Sequence, residues 1–523
     1  MSHALPPLIA ALLKPSLYAD QQSSVHRVDC VETHSAWVLL AGDRAYKIKK
    51  PVRWSFMDFS TLALRRQACQ DEVRINQRFE SFQSVDGPLY LGVLPILGTP
   101  QQPRWGQASA VHAVQAQEFA VVMRRFDEST RLDHVCARGE LTANHLARFA
   151  TDMAQFQARA AVVSRQQPWG HAAAAMRWPR DNFATLRRIL SEPADLHRLE
   201  RLSDWAEQRF MAIEPLLSRR RQKDRVREGH GDLHLANLIL TPQGIQAFDA
   251  VEFNEGLRWI DVTSDMAFLW MDLLSRGQPG LANVLLSAWL DASGDVSAPT
   301  VWSFFASYRA GVRAKVAAIR LEQHRATGPA SSHEADACLA DIRRYLALAQ
   351  DIAQPPEARL VITHGLSGSG KTWASQQWLA TETTGRAIRL RSDVERKRLH
   401  GLGPLEGSGS GLNSGLYTPQ AHQDTQASLL ARTRRLLAEG WTVLVDAAFL
   451  RHAERASFAA LAAEQRVPFH ILACEAAPEL LHQRISDRLA RADDASEATP
   501  AVLAQQMGWI EPLLPAERAL CLA

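Results

Sequence analysis

Cysteine is scarce. Six stand in 523 residues, at Cys30, Cys69, Cys136, Cys338, Cys474 and Cys521, and no two form a C-x-x-C pair. Neither a zinc site nor a disulfide framework is suggested, and a reducing, cytoplasmic setting is expected. An excess of one charge is also missing. The net charge of +3 is small for this length, so nothing global demands nucleic acid or an anionic membrane. No apolar run approaches the roughly 18 residues needed to span a membrane. The short patch from Leu5 to Leu13 has no basic stretch ahead and no clear cleavage site behind. It reads as a first helix, not a signal peptide.

What is present is ordinary globular material, 46% hydrophobic and 22% charged, long enough for two to four domains. One stretch stands out. Residues 365–372, Gly-Leu-Ser-Gly-Ser-Gly-Lys-Thr, fill every position of G-x-x-x-x-G-K-[ST]. Arg359-Leu360-Val361-Ile362-Thr363-His364 ahead of it reads as a strand, and 373–379 behind it as a helix. Gly365, Gly368 and Gly370 let the backbone wrap phosphate oxygens, and the N–H groups of Ser367, Ser369 and their neighbours face the anion. Lys371 is expected at the β- and γ-phosphates and Thr372 on Mg²⁺. The bland alternative is a flexible Gly/Ser loop.

A second stretch carries chemistry. His230-Gly231-Asp232-Leu233-His234 is followed by Asn237, five after Asp232, and by a short hairpin ending in Asp249. The catalytic loop of protein kinases, H-R-D-x-x-x-x-N, has the same Asp-to-Asn spacing. Phosphoryl transfer needs a carboxylate at the attacking hydroxyl and oxygen ligands for magnesium. Asp232 fits the first role; Asn237 and Asp249 fit the second. Earlier, Trp37–Ile48 reads as a hairpin turning at Ala41-Gly42-Asp43-Arg44. It puts Lys47 and Lys49 on one strand face, either as a solvated edge or as a phosphate lysine. A helix over 58–82 carries Glu72, strands are expected over 88–97 and 118–126, and helices over 140–228 and 295–350. The basic run 219–225 and the trio Arg309, Arg313 and Lys315 read as solvated helix faces, with anion contacts as the alternative.

Residues about 25–345 resemble the aminoglycoside phosphotransferase and choline kinase family, with its protein-kinase-like fold. The matching words are His230–His234 with Asn237, Phe248-Asp249 with Glu252-Phe253, and Asp261 with Asp265–Phe268. That resemblance implies Lys47 as the phosphate lysine, with Lys49 as its rival, and Glu72 as its helix partner. It puts Val122 and Met123 in a hinge beside adenine. No G-x-G-x-x-G loop precedes Lys47; residues 31–37 occupy that place.

Gln350 to Ala358, with Pro355-Pro356, reads as a linker between domains at 1–350 and 359–523. The second domain alternates strands and helices, which implies a parallel sheet. Thr442–Asp446 is a buried-type strand ending in an acid suited to a metal. Arg484, Arg488 and Arg491 share one helix face and could close on transferring phosphates; a solvated face is the alternative. This half resembles the small P-loop kinases near the polynucleotide-kinase, gluconate-kinase and zeta-toxin-like members, a group overlapping the AAA-family ATPases. The resemblance implies Asp393 at the acceptor hydroxyl, with Arg396 or Arg398 on the substrate. The Gly/Ser-rich stretch 402–416 is expected to be a loop over substrate.

The expected fold is α/β and α+β, a protein-kinase-like half followed by a P-loop half. The expected function is an ATP- and Mg²⁺-dependent phosphotransferase with two nucleotide sites acting on hydroxyls of sugars, amino sugars or amino alcohols. Partners are then a nucleoside triphosphate and a small acceptor, with no membrane and nucleic acid not favoured. The alternatives are one catalytic and one ATP-sensing half, or a second half acting on nucleic-acid ends.

Overall fold

The computed structural model describes residues 5–19, 25–54, 57–80, 87–326, 332–354, 356–410, 415–491 and 494–522. They form two compact units. Unit 1 comprises 1–141, 160–170 and 221–265; unit 2 comprises 142–159, 171–220 and 266–523. No disulfide joins the six cysteines. Among the described residues no helix is long and apolar enough to cross a membrane.

Unit 1 is organised on a six-stranded sheet. Its strands are β1 (Val28–Glu32), β2 (Ala36–Ala41), β3 (Arg44–Lys49), β4 (Tyr90–Thr99), β5 (Gln102–Trp105) and β6 (Glu118–Arg124). They lie in the order β1-β2-β3-β6-β4-β5, every neighbouring pair antiparallel. The β2–β3 turn falls where expected, at Gly42 with φ 57°, a conformation that costs glycine little. Alternation along the strands then makes two cores. On one face α1 (Pro7–Leu12) packs with Leu39, Tyr46, Ile48, Ile96 and Val122. On the other, α2 (Leu62–Glu80) brings Cys69 against Leu97, Phe119, Val121 and Met123. Cys69, Glu72, Ile75 and Asn76 of α2 are all fully buried, so a glutamate and an asparagine lie on its core stripe. Three small antiparallel pairs complete the unit: Arg53–Trp54 with Met57–Asp58, β7 (Val226–Glu228) with β10 (Trp259–Asp261), and β8 (Leu238–Thr241) with β9 (Gly244–Ala247).

Unit 2 joins a helical layer to a parallel sheet. The helices are α3 (Ala143–Arg159), α4 (Ala172–Ile189), α5 (Pro193–Gln222), most of α6 (Val262–Ser275), α7 (Pro279–Ser293), α8 (Ala298–Ala326) and α9 (Ser332–Ala353). The sheet has four strands, β11 (Leu360–His364), β12 (Ala387–Arg391), β13 (Thr442–Asp446) and β14 (Phe469–Ala473), in the order β12-β13-β11-β14. All its pairings are parallel, as strands alternating with helices imply. Its helices are α10 (Lys371–Thr381), α11 (Ser392–Leu399), α12 (Pro419–Ala438), α13 (His452–Gln465), α14 (Pro478–Arg491) and α15 (Pro500–Trp509). Trp270, Trp289, Trp302 and Trp441 are all buried. Trp270 sits 6.2 Å from Trp302 and 6.3 Å from Trp441, which precedes β13. One aromatic cluster thus spans the helical layer and the sheet.

Three expectations change. The linker is shorter than 350–358, because α9 continues to Ala353 with Ile352 buried; Pro355 lies outside the described residues. The basic run is not a solvated face throughout. Arg220 is buried on Asp295 at 2.8 Å, and Arg221 donates to the carbonyls of Trp169 and Ser164. Arg309 is also buried, stacked on Phe268 and Tyr308, while Lys315 pairs with Asp181. In each case a residue far along the chain supplies the partner.

The α7–α10 contact has little slack. A Cβ added at Gly280 would sit 1.8 Å from the carbonyl oxygen of Ala380, whereas one at Gly508 meets nothing within 4 Å. Gly280→Ala is expected to destabilise unit 2 by about 1–3 kcal/mol through overpacking. Gly508→Ala is expected to be neutral or stabilising by roughly 0.5 kcal/mol. Calorimetric melting of both variants checks this, and equal melting temperatures would contradict the close approach.

Candidate functional sites

In unit 1 the strand face chosen by alternation brings both lysines to one carboxylate. Lys47 Nζ lies 2.8 Å from Glu72 Oε1 and 2.5 Å from Asp249 Oδ1. Lys49 Nζ lies 2.6 Å from Glu72 Oε2 and also pairs with Glu252. The two lysines are therefore not rivals for one place. Glu72 is fully buried between them, and Lys47 alone reaches Asp249. Burial pushes the Glu72 carboxyl up, but the two ammonium groups outweigh it and hold the pKa down at about 2. Burial likewise works against the charge on Lys47, and Asp249 and Glu72 reverse it, keeping the ammonium well above its ordinary pKa.

The loop bearing Asp232 is fixed by side chains that take backbone N–H groups. Asp265 accepts from His230 N at 2.8 Å and from Gly231 N at 2.9 Å. Asp232 N donates to His230 Nδ1, so the ring's proton is on Nε2, which faces the Phe248 carbonyl. Burial lowers the pKa of this imidazole and favours that neutral form. Asn237 Nδ2 donates to Asp232 Oδ2 at 3.0 Å and to its carbonyl at 3.0 Å. Asp249 has φ 58°, rare for a residue with a Cβ. It is held there because its N–H reaches Tyr90 Oη and the next N–H reaches Asn76 Oδ1. Lysine, glutamate and the Asp249 carboxylate are thus brought together, and Asp232 is joined to Asn237.

Val122 and Met123 lie within β6, both buried, one on each face of the sheet. Met123 shares the face of Lys47, and Val122 packs with the α1 side.

In unit 2 the phosphate loop follows β11 and opens α10, the strand–loop–helix context the motif requires. Gly365 has φ 149° and Gly368 φ 83°. A Cβ at those positions would sit 2.2 Å from the Cys474 carbonyl oxygen and 2.8 Å from that of Leu481, so glycine is required for conformation and space. Gly370, φ 94°, caps α10, whose first residues are Lys371 and Thr372. Ser369 Oγ and Arg488 Nε are buried with no hydrogen-bond partner among the described residues. Arg488 otherwise donates to the Ala498 carbonyl, and Arg484 to the Gly368 carbonyl at 3.2 Å. Lys371 Nζ donates to the Leu366 carbonyl at 2.7 Å. Burial lowers its pKa against the pull of Asp446 and Asp393. A cation losing solvation beside unfilled donors is an environment suited to an anion.

The acids lie at the carboxyl ends of the strands. Asp446 ends β13, its Oδ2 3.2 Å from Ser375 Oγ, whose single proton has the Thr372 carbonyl at 3.0 Å as its other acceptor. Asp393, in the first turn of α11, pairs with Arg396 at 2.8 Å. Its pKa is lowered because Arg396 and Arg391, with Ser496, outweigh burial. Arg398 instead pairs with Glu395. The Arg491 side chain and Asp493 lie outside the described residues, as do 411–414 of the Gly/Ser-rich stretch. Its Ser408 N–H is held by Glu497 at 2.9 Å. Thr372 and Asp446 in unit 2, and Asn237 and Asp249 in unit 1, are hard oxygen donors of the kind magnesium takes.

Sequence reasoning missed several parts of both sites. Asp265 stood among the matching words with no role attached. Glu252 stood there too without a role, and Tyr90, Asn76, Arg391 and Gln506 carried no local signal. Arg391 pairs with Asp494 at 2.7 Å, and Gln506 accepts from the Ser367 N–H at 2.8 Å.

The chain resembles known proteins over each of its parts. Residues 360–513 match the family AAA_33, described as an AAA domain. The chain is 30% identical over 499 residues, 94% of each chain, to the uncharacterized protein Rv2004c of Mycobacterium tuberculosis (strain ATCC 25618 / H37Rv). Similar solved structures include a choline/ethanolamine kinase family protein from Mesorhizobium loti, 11% identical, TM-score 0.37, covering 66% of this chain and 97% of that one. Kti12 of Chaetomium thermophilum in complex with ADP-AlF3 is 18% identical, TM-score 0.24, covering 31% of this chain and 88% of that one. Residues 360–513, which match that family model, carry the phosphate loop on the four-stranded parallel sheet.

The Glu72 pairing has a pH signature. Its carboxyl titrates near 4.5 when free and near 2 when folded. Its contribution to stability is therefore complete above pH 4.5 and is lost as pH falls toward 2. Glu72→Gln is expected to cost about 3–5 kcal/mol at pH 7. Urea titrations should show that deficit shrinking as pH falls below about 4.5. A deficit as large at pH 3 as at pH 7 would contradict the pairing.

Proposed function

The chain belongs to the same family as Rv2004c, and we propose that it is an ATP- and magnesium-dependent kinase with two nucleotide sites, each directed at a hydroxyl of a small molecule. The observation that carries this proposal is the phosphate loop, with a half-buried Lys371 and two buried hydrogen-bonding groups, Ser369 Oγ and Arg488 Nε, that have no partner among the described residues. The Lys47–Glu72–Asp249 constellation supports a second site of the same chemistry. The division into a kinase-like part, 1–350, and a phosphate-loop part, 359–523, is kept here as a division of chemistry. The acceptor class proposed for both is sugars, amino sugars or amino alcohols.

In the first site Lys47, set by Glu72, holds the phosphates, and Asp232 orients the acceptor hydroxyl and takes its proton. Asn237 steadies that carboxylate through its amide. Met123, on the Lys47 face, is the better placed of the two strand residues to border adenine. In the second site Lys371 and the loop N–H groups hold the triphosphate, Arg484 and Arg488 turn onto the transferring group, and Asp393 addresses the acceptor. Magnesium, when bound with nucleotide, would be held by Asn237 and Asp249 in one site and by Thr372 and Asp446 in the other, neutralising phosphate charge. A loose transition state needs positioning and charge more than covalent help, and both sites consist of those.

Lys371→Ala and Asp232→Ala, made singly, are each expected to lower phosphorylation of one set of acceptors by at least about 100-fold and spare the other. A metabolite-pool screen with mass detection reads this out. If neither variant lowers ATP consumption, the proposal fails.

A further inference from the structure

β12 is an edge strand of the parallel sheet, and its outward backbone N–H groups have no strand to pair with. Helix α7 covers them. Asn283 Oδ1 accepts from Ala387 N at 2.9 Å, and Ser287 Oγ accepts from Arg389 N at 3.1 Å. Both side chains are buried. The spacing of four along the helix matches the spacing of two along the strand, since each advances roughly 6 Å. The next residue in that row, Asp291, meets no backbone N–H among the described residues. It faces guanidinium groups instead, with Oδ2 3.9 Å from Arg389 Nη2. Burial raises its pKa, against the pull of Arg389, Arg391 and Arg432.

Arg389 leads into the phosphate-loop site. Its Nη1 donates to the Thr372 carbonyl and to Ser375 Oγ, both at 3.3 Å. The single Ser375 hydroxyl proton has two acceptors within reach, the Thr372 carbonyl at 3.0 Å and Asp446 Oδ2 at 3.2 Å. Arg391, two residues along, lies 4.0 Å from Asp446. A polar path therefore runs from Asp291 on α7, through Arg389, to the Thr372 backbone carbonyl and, by way of Ser375, to Asp446. Asn283 and Ser287 lie on the same row but end on backbone, so the row separates two roles.

We propose that Asp291 is a positioning residue for phosphoryl transfer at the phosphate loop: it anchors Arg389, which sets Thr372 and Asp446 for magnesium. Helix α7, outside the P-loop half of the sequence, is on this account a working part of that half's site. The inference rests on the kinase reading above.

The test uses the full chain carrying Asp232→Ala, so that turnover reports on the phosphate loop. Asp291→Asn is compared with Arg389→Lys, Asn283→Ala and Lys371→Ala. For Asp291→Asn and Arg389→Lys, kcat is expected to fall about 10-fold and the magnesium concentration at half-maximal rate to rise about 5-fold, with KM for ATP within about twofold. Binding of a fluorescent ADP should lose the gain in affinity that magnesium gives the parent, while binding without magnesium stays unchanged. Asn283→Ala should lower the melting temperature and leave kcat per folded molecule and the magnesium requirement unaltered. The proposal is overturned if Asp291→Asn keeps its magnesium dependence within twofold while Lys371→Ala abolishes turnover. It is also overturned if Asp291→Asn merely reproduces the Asn283→Ala pattern. If Lys371→Ala leaves turnover intact, the kinase reading of this half fails and the inference falls with it.

Discussion

A buried backbone N–H must find an acceptor, and where no helix or strand supplies one a side chain has to. That constraint shapes both sites. Asp265 takes two N–H groups before Asp232, and Tyr90 and Asn76 take those of Asp249 and Ala250. Asn283 and Ser287 take those on the outer edge of β12. Each orphaned donor would cost about 1–3 kcal/mol, so these side chains hold irregular backbone in the conformations from which the reactive groups project. The left-handed φ of Asp249 persists for this reason.

Charge is handled in the same way. Four ionised side chains around Glu72 would each be expensive to bury alone. Arranged as lysine, glutamate and lysine with acids at either end, the charges alternate in sign and each faces an opposite neighbour. On the proposed reading, a nucleotide entering this site would bring negative charge to Lys47, which of the two lysines is the one that touches Asp249. Lys49, closed off between Glu72 and Glu252, supports the arrangement from behind.

Much of this could be read along the chain, and what could be read was local. The phosphate loop announces itself because glycine spacing, preceding strand and following helix are contiguous. The Asp232–Asn237 spacing and the Gly42 turn are contiguous too. Lys47 and Lys49 looked like competitors because alternation places them on one face, but nothing in the sequence shows that one carboxylate serves both. The basic run at 219–225 looked solvated because its partners, Asp295 and the carbonyls near 165, are far off in sequence. The role of α7 was hidden for the same reason. Its Asn283 and Ser287 resemble any polar pair on a helix until the edge strand beside them is known.

The central claim is that one chain carries two nucleotide sites. The most direct measurement is the number of non-hydrolysable ATP molecules bound per chain, by equilibrium dialysis or calorimetry with magnesium present. The account predicts two in the parent, one in Lys47→Ala and one in Lys371→Ala. A stoichiometry of one in the parent, or one that neither substitution lowers, would contradict it.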